Sequence, residues 1–115
     1  MDARALSQIE IVYRNTAASL TYAQARSGKR FSLGCEERCD VVIHGDYVSR
    51  SHAYIEIEGS DFFLVDASTN GSFVQTEDEQ VQFVHRGRIR LWGTGWISLG
   101  ETLSAGDPVL FKDTS

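Results

Sequence analysis

A chain of 115 residues, 42% hydrophobic and 23% charged, has the size and balance of one globular domain and can close a core without a metal or a disulfide. Its net charge of −5 argues against general affinity for nucleic acid or anionic membrane, which both need a basic face, yet leaves room for one local basic pocket. No run of roughly 18 uncharged apolar residues occurs, and Met1–Ser7 holds no apolar signal core, so a soluble, reducing, cytoplasmic setting is expected.

Met1 to Ser7 reads as an N-terminal extension. Met1–Gln8 is the only stretch expected to wind into a helical turn, and it has no useful apolar stripe. The domain is expected over residues 8–112. It begins with the β-rich Gln8–Tyr13, and candidate strands follow at Leu20–Ala23, Arg30–Leu33, Val41–Ile43 and Ala53–Glu58. In the last of these Ala53, Ile55 and Ile57 fall on one face and Tyr54, Glu56 and Glu58 on the other, as a half-solvated strand requires. Further candidates are Phe62–Val65, Ser72–Gln75, Val81–Val84, Arg88–Trp92, Trp96–Leu99 and Val109–Lys112, with 113–115 as a tail.

Turn chemistry separates most of them: Ser27-Gly28-Lys29, Gly59-Ser60-Asp61, Asn70-Gly71, Gly93-Thr94-Gly95 and Ala105-Gly106-Asp107-Pro108. Asn70-Gly71 is also the strongest short hairpin signal in the chain. Glu77-Asp78-Glu79 reads as a solvated hairpin tip. Alternation puts Arg86, Arg88 and Arg90 on one strand face, read as solvated and not as a nucleic-acid surface. Eleven short strands and no convincing helix mean an all-β sandwich or barrel.

A sandwich commits its strands to the core, which leaves chemistry to the loops. Three are loaded: Leu33–Asp40, Gly45–His52 and Asp66–Gly71. Ser49-Arg50-Ser51-His52 supplies hydroxyls and a guanidinium; Ser68-Thr69-Asn70 supplies hydroxyls and an amide. With exposed backbone N–H groups these are the donors that hold a phosphate. No Walker-type glycine loop points to a nucleotide. Cys35, Cys39, His44 and His52 match no closed zinc pattern, so no metal is expected. No carboxylate pair or triad can be assembled, so no catalytic residue and no cofactor is expected.

The ordered set Leu33-Gly34, Ser49-Arg50-Ser51-His52-Ala53 and Asp66-Ala67-Ser68-Thr69-Asn70-Gly71 resembles the signature of the forkhead-associated (FHA) family, in the family's order and spacing, across roughly Ile9 to Phe111. The resemblance implies an eleven-stranded, two-sheet sandwich whose end loops bind phosphothreonine peptides. It implies that Ser49 bonds the phosphate through its hydroxyl and that Arg50 adds a backbone N–H and its guanidinium. Thr69 would flank the phosphothreonine, and Asn70 would hold the peptide main chain. His52 would brace the loop from behind, with Gly34 and Gly71 at turns where a side chain does not fit.

One position departs from that pattern. Family members that bind phosphothreonine usually carry arginine directly after the glycine at Gly34, where this chain has Cys35. A neutral thiol lacks the guanidinium fork, a loss on the order of 1.5–3 kcal/mol or about ten- to a hundred-fold in affinity. Arg38, in the same loop, and Arg50 are the residues expected to supply the missing charge. The alternative is a scaffold without phosphate recognition that binds unmodified protein or its own copy. Val84–Gly100 is similar to FHA domains fused to bacterial class III nucleotide cyclases, which implies a regulatory piece of a longer signalling protein.

Overall fold

The computed structural model describes residues 7–77 and 79–114; the expectations placed on residues 1–6, Asp78 and Ser115 lie outside them. Alternating apolar residues build two stacked sheets. The six-stranded sheet runs β2 (Thr16–Thr21), β1 (Gln8–Tyr13), β11 (Val109–Thr114), β10 (Thr94–Leu99), β7 (Ser72–Thr76), β8 (Gln82–Val84). The five-stranded sheet runs β4 (Val41–Val42), β3 (Phe31–Gly34), β5 (Ala53–Glu58), β6 (Asp61–Asp66), β9 (Arg88–Leu91). Of the described pairings only β3 with β4 is parallel. Ile9, Ile11, Phe111 and Ile97 from one sheet and Leu33, Ile55, Phe62 and Leu64 from the other are fully buried between them. This is the expected all-β sandwich.

The expected strand Leu20–Ala23 is a correction. The strand is Thr16–Thr21, and Tyr22–Arg26 then forms a short helix, α1. Thr21 caps it: its Oγ1 accepts from the Gln24 N–H at 3.1 Å, and the Gln24 side chain accepts from the Thr21 N–H at 3.0 Å. Tyr22 and Ala25, three apart, turn the same way into the core. Gly28, at φ 101°, stands two residues past the last turn. Thr16–Ala18 reaches strand geometry because a tight turn at Arg14, φ 53°, folds it back in register with Val12 and Ile11.

Two boundaries move by two residues and others by one. Only Gly93, at φ 62°, makes the turn before β10, while Thr94 and Gly95 pair with Lys112 and Phe111. Strand β11 runs on through Asp113 and Thr114, which pair with Ile9 and Gln8. Asn70-Gly71 closes no hairpin: β6 and β7 belong to different sheets, and the chain crosses the sandwich between them. Glu77 and Glu79 are exposed between β7 and β8, as a hairpin tip requires.

Candidate functional site

Three loops meet at one end of the sandwich, and backbone hydrogen bonds lock them together. The first, after β3, is laced to the stretch before β5. The Cys35 N–H donates to Ser49 O at 3.1 Å, the Glu36 N–H to Arg50 O at 3.2 Å, and the His52 N–H to Leu33 O at 2.9 Å. The Cys39 thiol also donates to Arg50 O, at 3.2 Å, and burial raises its pKa, so it stays protonated there. Gly34 lies so close that a Cβ would strike the Arg50 carbonyl, which gives the steric reason for glycine. Ser32 and Asp40 tie the base of this loop by reciprocal bonds of 2.8 and 3.0 Å.

His52 joins the second loop to the third. Its ring is fully buried; Nδ1 accepts from the Ser49 N–H at 3.0 Å, so the proton sits on Nε2, which donates to Gly71 O at 2.7 Å. Burial pushes its pKa down, against smaller upward pulls from Gly71 O and Asp66, and keeps the ring neutral. The Ala67 N–H adds a bond to His52 O at 3.0 Å.

Beneath the third loop Asp66 is buried and saturated. It accepts from Ser72 Oγ at 2.6 Å, from the Ser68 N–H and Arg86 N–H at 3.0 Å each, and from Ser68 Oγ at 2.9 Å. Burial alone would raise its pKa, but these donors outweigh it and hold the carboxyl below its usual value. Ser68 Oγ in turn accepts the Gly71 N–H at 2.7 Å. Gly71, at φ 84°, takes a conformation that favours glycine.

The front of the cluster is open. Ser49 is half-buried, and Arg50, Thr69 and Asn70 are exposed. The Thr69 N–H reaches Ser49 Oγ at 3.3 Å and Asn70 Nδ2 reaches Tyr47 O at 3.2 Å, so Ser49, Thr69 and Asn70 share one rim. Arg50 makes no ion pair among the described residues. Cys35, a half-buried free thiol on the first loop, is tied to this rim through its N–H bond to Ser49 O. Arg38 is not drawn in: its side chain is 92% exposed, with Glu36 its nearest acid at 4.0 Å.

Several contributors were missed from sequence. Arg86, assigned to a solvated face, sits in a turn at φ 55° and points its N–H at Asp66 and its Nε at Ser68 O, 3.2 Å away. His85 Nε2 lies 3.2 Å from the same carbonyl. Arg88 and Arg90 do face solvent, paired with Glu56, Glu58 and Asp61. Tyr47, exposed and bonded through its carbonyl to Asn70, had no signal beyond its place in a loaded loop.

The family model for the FHA domain matches residues 31–91, more than half of the chain and all three loops. The chain belongs to the FHA family. Among solved structures, Mycobacterium tuberculosis Rv1747 FHA-1 is 16% identical with a TM-score of 0.72, over 96% of this chain and 100% of that one. The N-terminal FHA domain of S. cerevisiae Rad53p, in complex with a phosphothreonine peptide, is 18% identical with a TM-score of 0.67, over 92% and 91%. The FHA domain of an Arabidopsis thaliana hypothetical protein is 15% identical with a TM-score of 0.68, over 99% and 90%. At these identities the likeness establishes the fold. No curated protein sequence matches significantly. FHA domains are binding modules, so this domain is read as a binder and not a catalyst.

Proposed function

We propose that this domain recognises phosphothreonine in a partner protein through the rim formed by Ser49, Arg50, Thr69 and Asn70. The observation that carries this reading is His52, which holds the Ser49 loop and the Gly71 loop on one buried ring and so presents their donors together. In support, the related Rad53p domain was solved with a phosphothreonine peptide, and another related FHA structure concerns phosphothreonine-dependent interactions. Ser49 Oγ donates to the phosphate, and Arg50 supplies the charge that Cys35 lacks. Thr69 flanks the phosphothreonine and Asn70 holds the peptide main chain.

Calorimetric titration with a degenerate phosphothreonine peptide pool and its unphosphorylated twin tests this. Binding is expected for the phosphorylated pool alone, abolished by Ser49→Ala, weakened about ten-fold by Arg50→Ala and unchanged by Arg38→Ala. Equal binding to both pools, or none to either, refutes the reading. It favours the second one, a scaffold that associates with unmodified protein or its own copy, which the thiol at position 35 supports. The likeness of Val84–Gly100 to cyclase-fused FHA domains supports a regulatory role within a larger signalling protein. Two free thiols fit a reducing, cytoplasmic location.

A further inference from the structure

The outer faces of the two sheets carry different chemistry. On the five-stranded sheet, Arg88 reaches Glu58 at 2.8 Å and Glu56 at 3.5 Å, Arg90 reaches Asp61 at 3.5 Å, and Arg30 reaches Glu56 at 3.7 Å. On the six-stranded sheet the register aligns Val12, Leu110 and Trp96 in one cross-strand row, with Phe73 opposite Phe83 beside it. Glu10 and Lys112 stand opposite each other in the neighbouring row and balance in charge. Phe83 keeps 56% of its surface exposed and Trp96 42%, a large apolar area to leave in water.

The stripe begins beside the loop cluster, at Gly71. The Phe83 ring lies over the Gly71 backbone, where a Cβ would strike it, and packs on Phe73 with ring centroids 4.9 Å apart. At its far end a shallow groove of about 260 Å³ opens beside Val12 and Ala17. From β8 to β1 the stripe crosses four strand spacings, about 19 Å, which roughly six residues of extended chain would cover.

We propose that the polypeptide whose phosphothreonine enters the loop cluster lays an adjoining apolar segment along this stripe, from Phe83 toward Trp96. The proposal rests on the phosphothreonine reading above. A chain already held at Asn70 reaches Phe83 at high effective concentration, so weak apolar contacts add to affinity without a second loss of translational freedom. Cys35 leaves the phosphate short of one charged contact, and the stripe supplies affinity that does not depend on charge. With Glu10 facing Lys112, the face offers a charged segment no spare counter-charge and suits an apolar one.

The test selects binders from a phosphothreonine peptide pool with ten randomised residues on each side, using the unaltered domain and the Phe83→Ser and Trp96→Ser variants. Both rings are exposed, and matching thermal midpoints confirm that the variants fold. The unaltered domain is expected to enrich apolar residues about three to six positions from the phosphothreonine on one side. Each substitution is expected to weaken such peptides about ten-fold while sparing the same peptides trimmed to two flanking residues. Phosphopeptide binding with no distal apolar preference, or with no loss in the variants, overturns the stripe and leaves the pocket standing. Absence of any phosphothreonine enrichment overturns both. A dimer in sedimentation that either substitution converts to monomer assigns the face to a second copy and likewise overturns the proposal.

Discussion

The two sides of the His52 loop differ in how their polar groups are used. Behind it, His52, Asp66, Ser68 and Ser72 are buried and bonded to one another or to backbone, with no donor spare for a ligand. In front, Ser49, Arg50, Thr69 and Asn70 are partly or fully exposed, and the rim bonds of Ser49 and Asn70 are long, at 3.3 and 3.2 Å. The buried side costs stability to disturb and the open side costs binding. A sandwich end can therefore change its ligand preference at a rim position such as Cys35 and keep its fold.

Asp66→Ala should break the buried side hardest. It strands the Ser72 and Ser68 hydroxyls and the Arg86 N–H, for a loss of about 3–5 kcal/mol in urea-unfolding stability. A loss under about 1 kcal/mol would show that the network is not what holds the third loop. Cys35→Arg acts on the other side. It should raise phosphopeptide affinity about ten- to a hundred-fold by calorimetry, about 1.4–2.8 kcal/mol, with unphosphorylated peptides and thermal stability unaffected. No gain would mean that position 35 does not face the phosphate.

The smallest change is graded with pH. His52 has a lowered pKa, so the unfolded chain binds its proton first; stability is full above about pH 6.5 and falls as pH drops through the folded-state value. Asp66, also lowered, contributes fully above about pH 3.9 and is lost below it. Thermal midpoints from pH 8 to 3 should show both declines, the first missing in His52→Gln. A flat profile between pH 6.5 and 5 would contradict a neutral buried ring.

Most of the sandwich is legible in the sequence because period-two alternation is a local property. Ala53–Glu58 shows it in six residues, and its burial follows that pattern until Ile57, near the strand end, which is only half-buried. Helix α1 escaped because its capping box, Thr21 to Gln24, overlaps the strand-like Leu20-Thr21-Tyr22, and five residues are too few for a periodic signal. Asn70-Gly71 misled because a turn signal does not say which sheet the next strand joins. Ser49, Thr69 and His52 were legible through motif order, as a resemblance. The inward turn of Arg86 and the seat of Phe83 on Gly71 are set by register across the chain and left no local trace.

The pairing of β1 with β11 carries a mechanical consequence. Gln8 lies opposite Thr114, so the ends of these two inner strands sit side by side, away from the β10–β11 turn and the Tyr13 hydroxyl bonded to Asp107. Tension applied through those ends loads the ladder in a zipper geometry. Its hydrogen bonds break in sequence, starting at Gln8 and Thr114, instead of resisting together in shear. The loop cluster lies at the opposite end, where Gly100 N–H bonds Gly71 O, so a pull that opens the Gln8–Thr114 end is expected to reach those loops last.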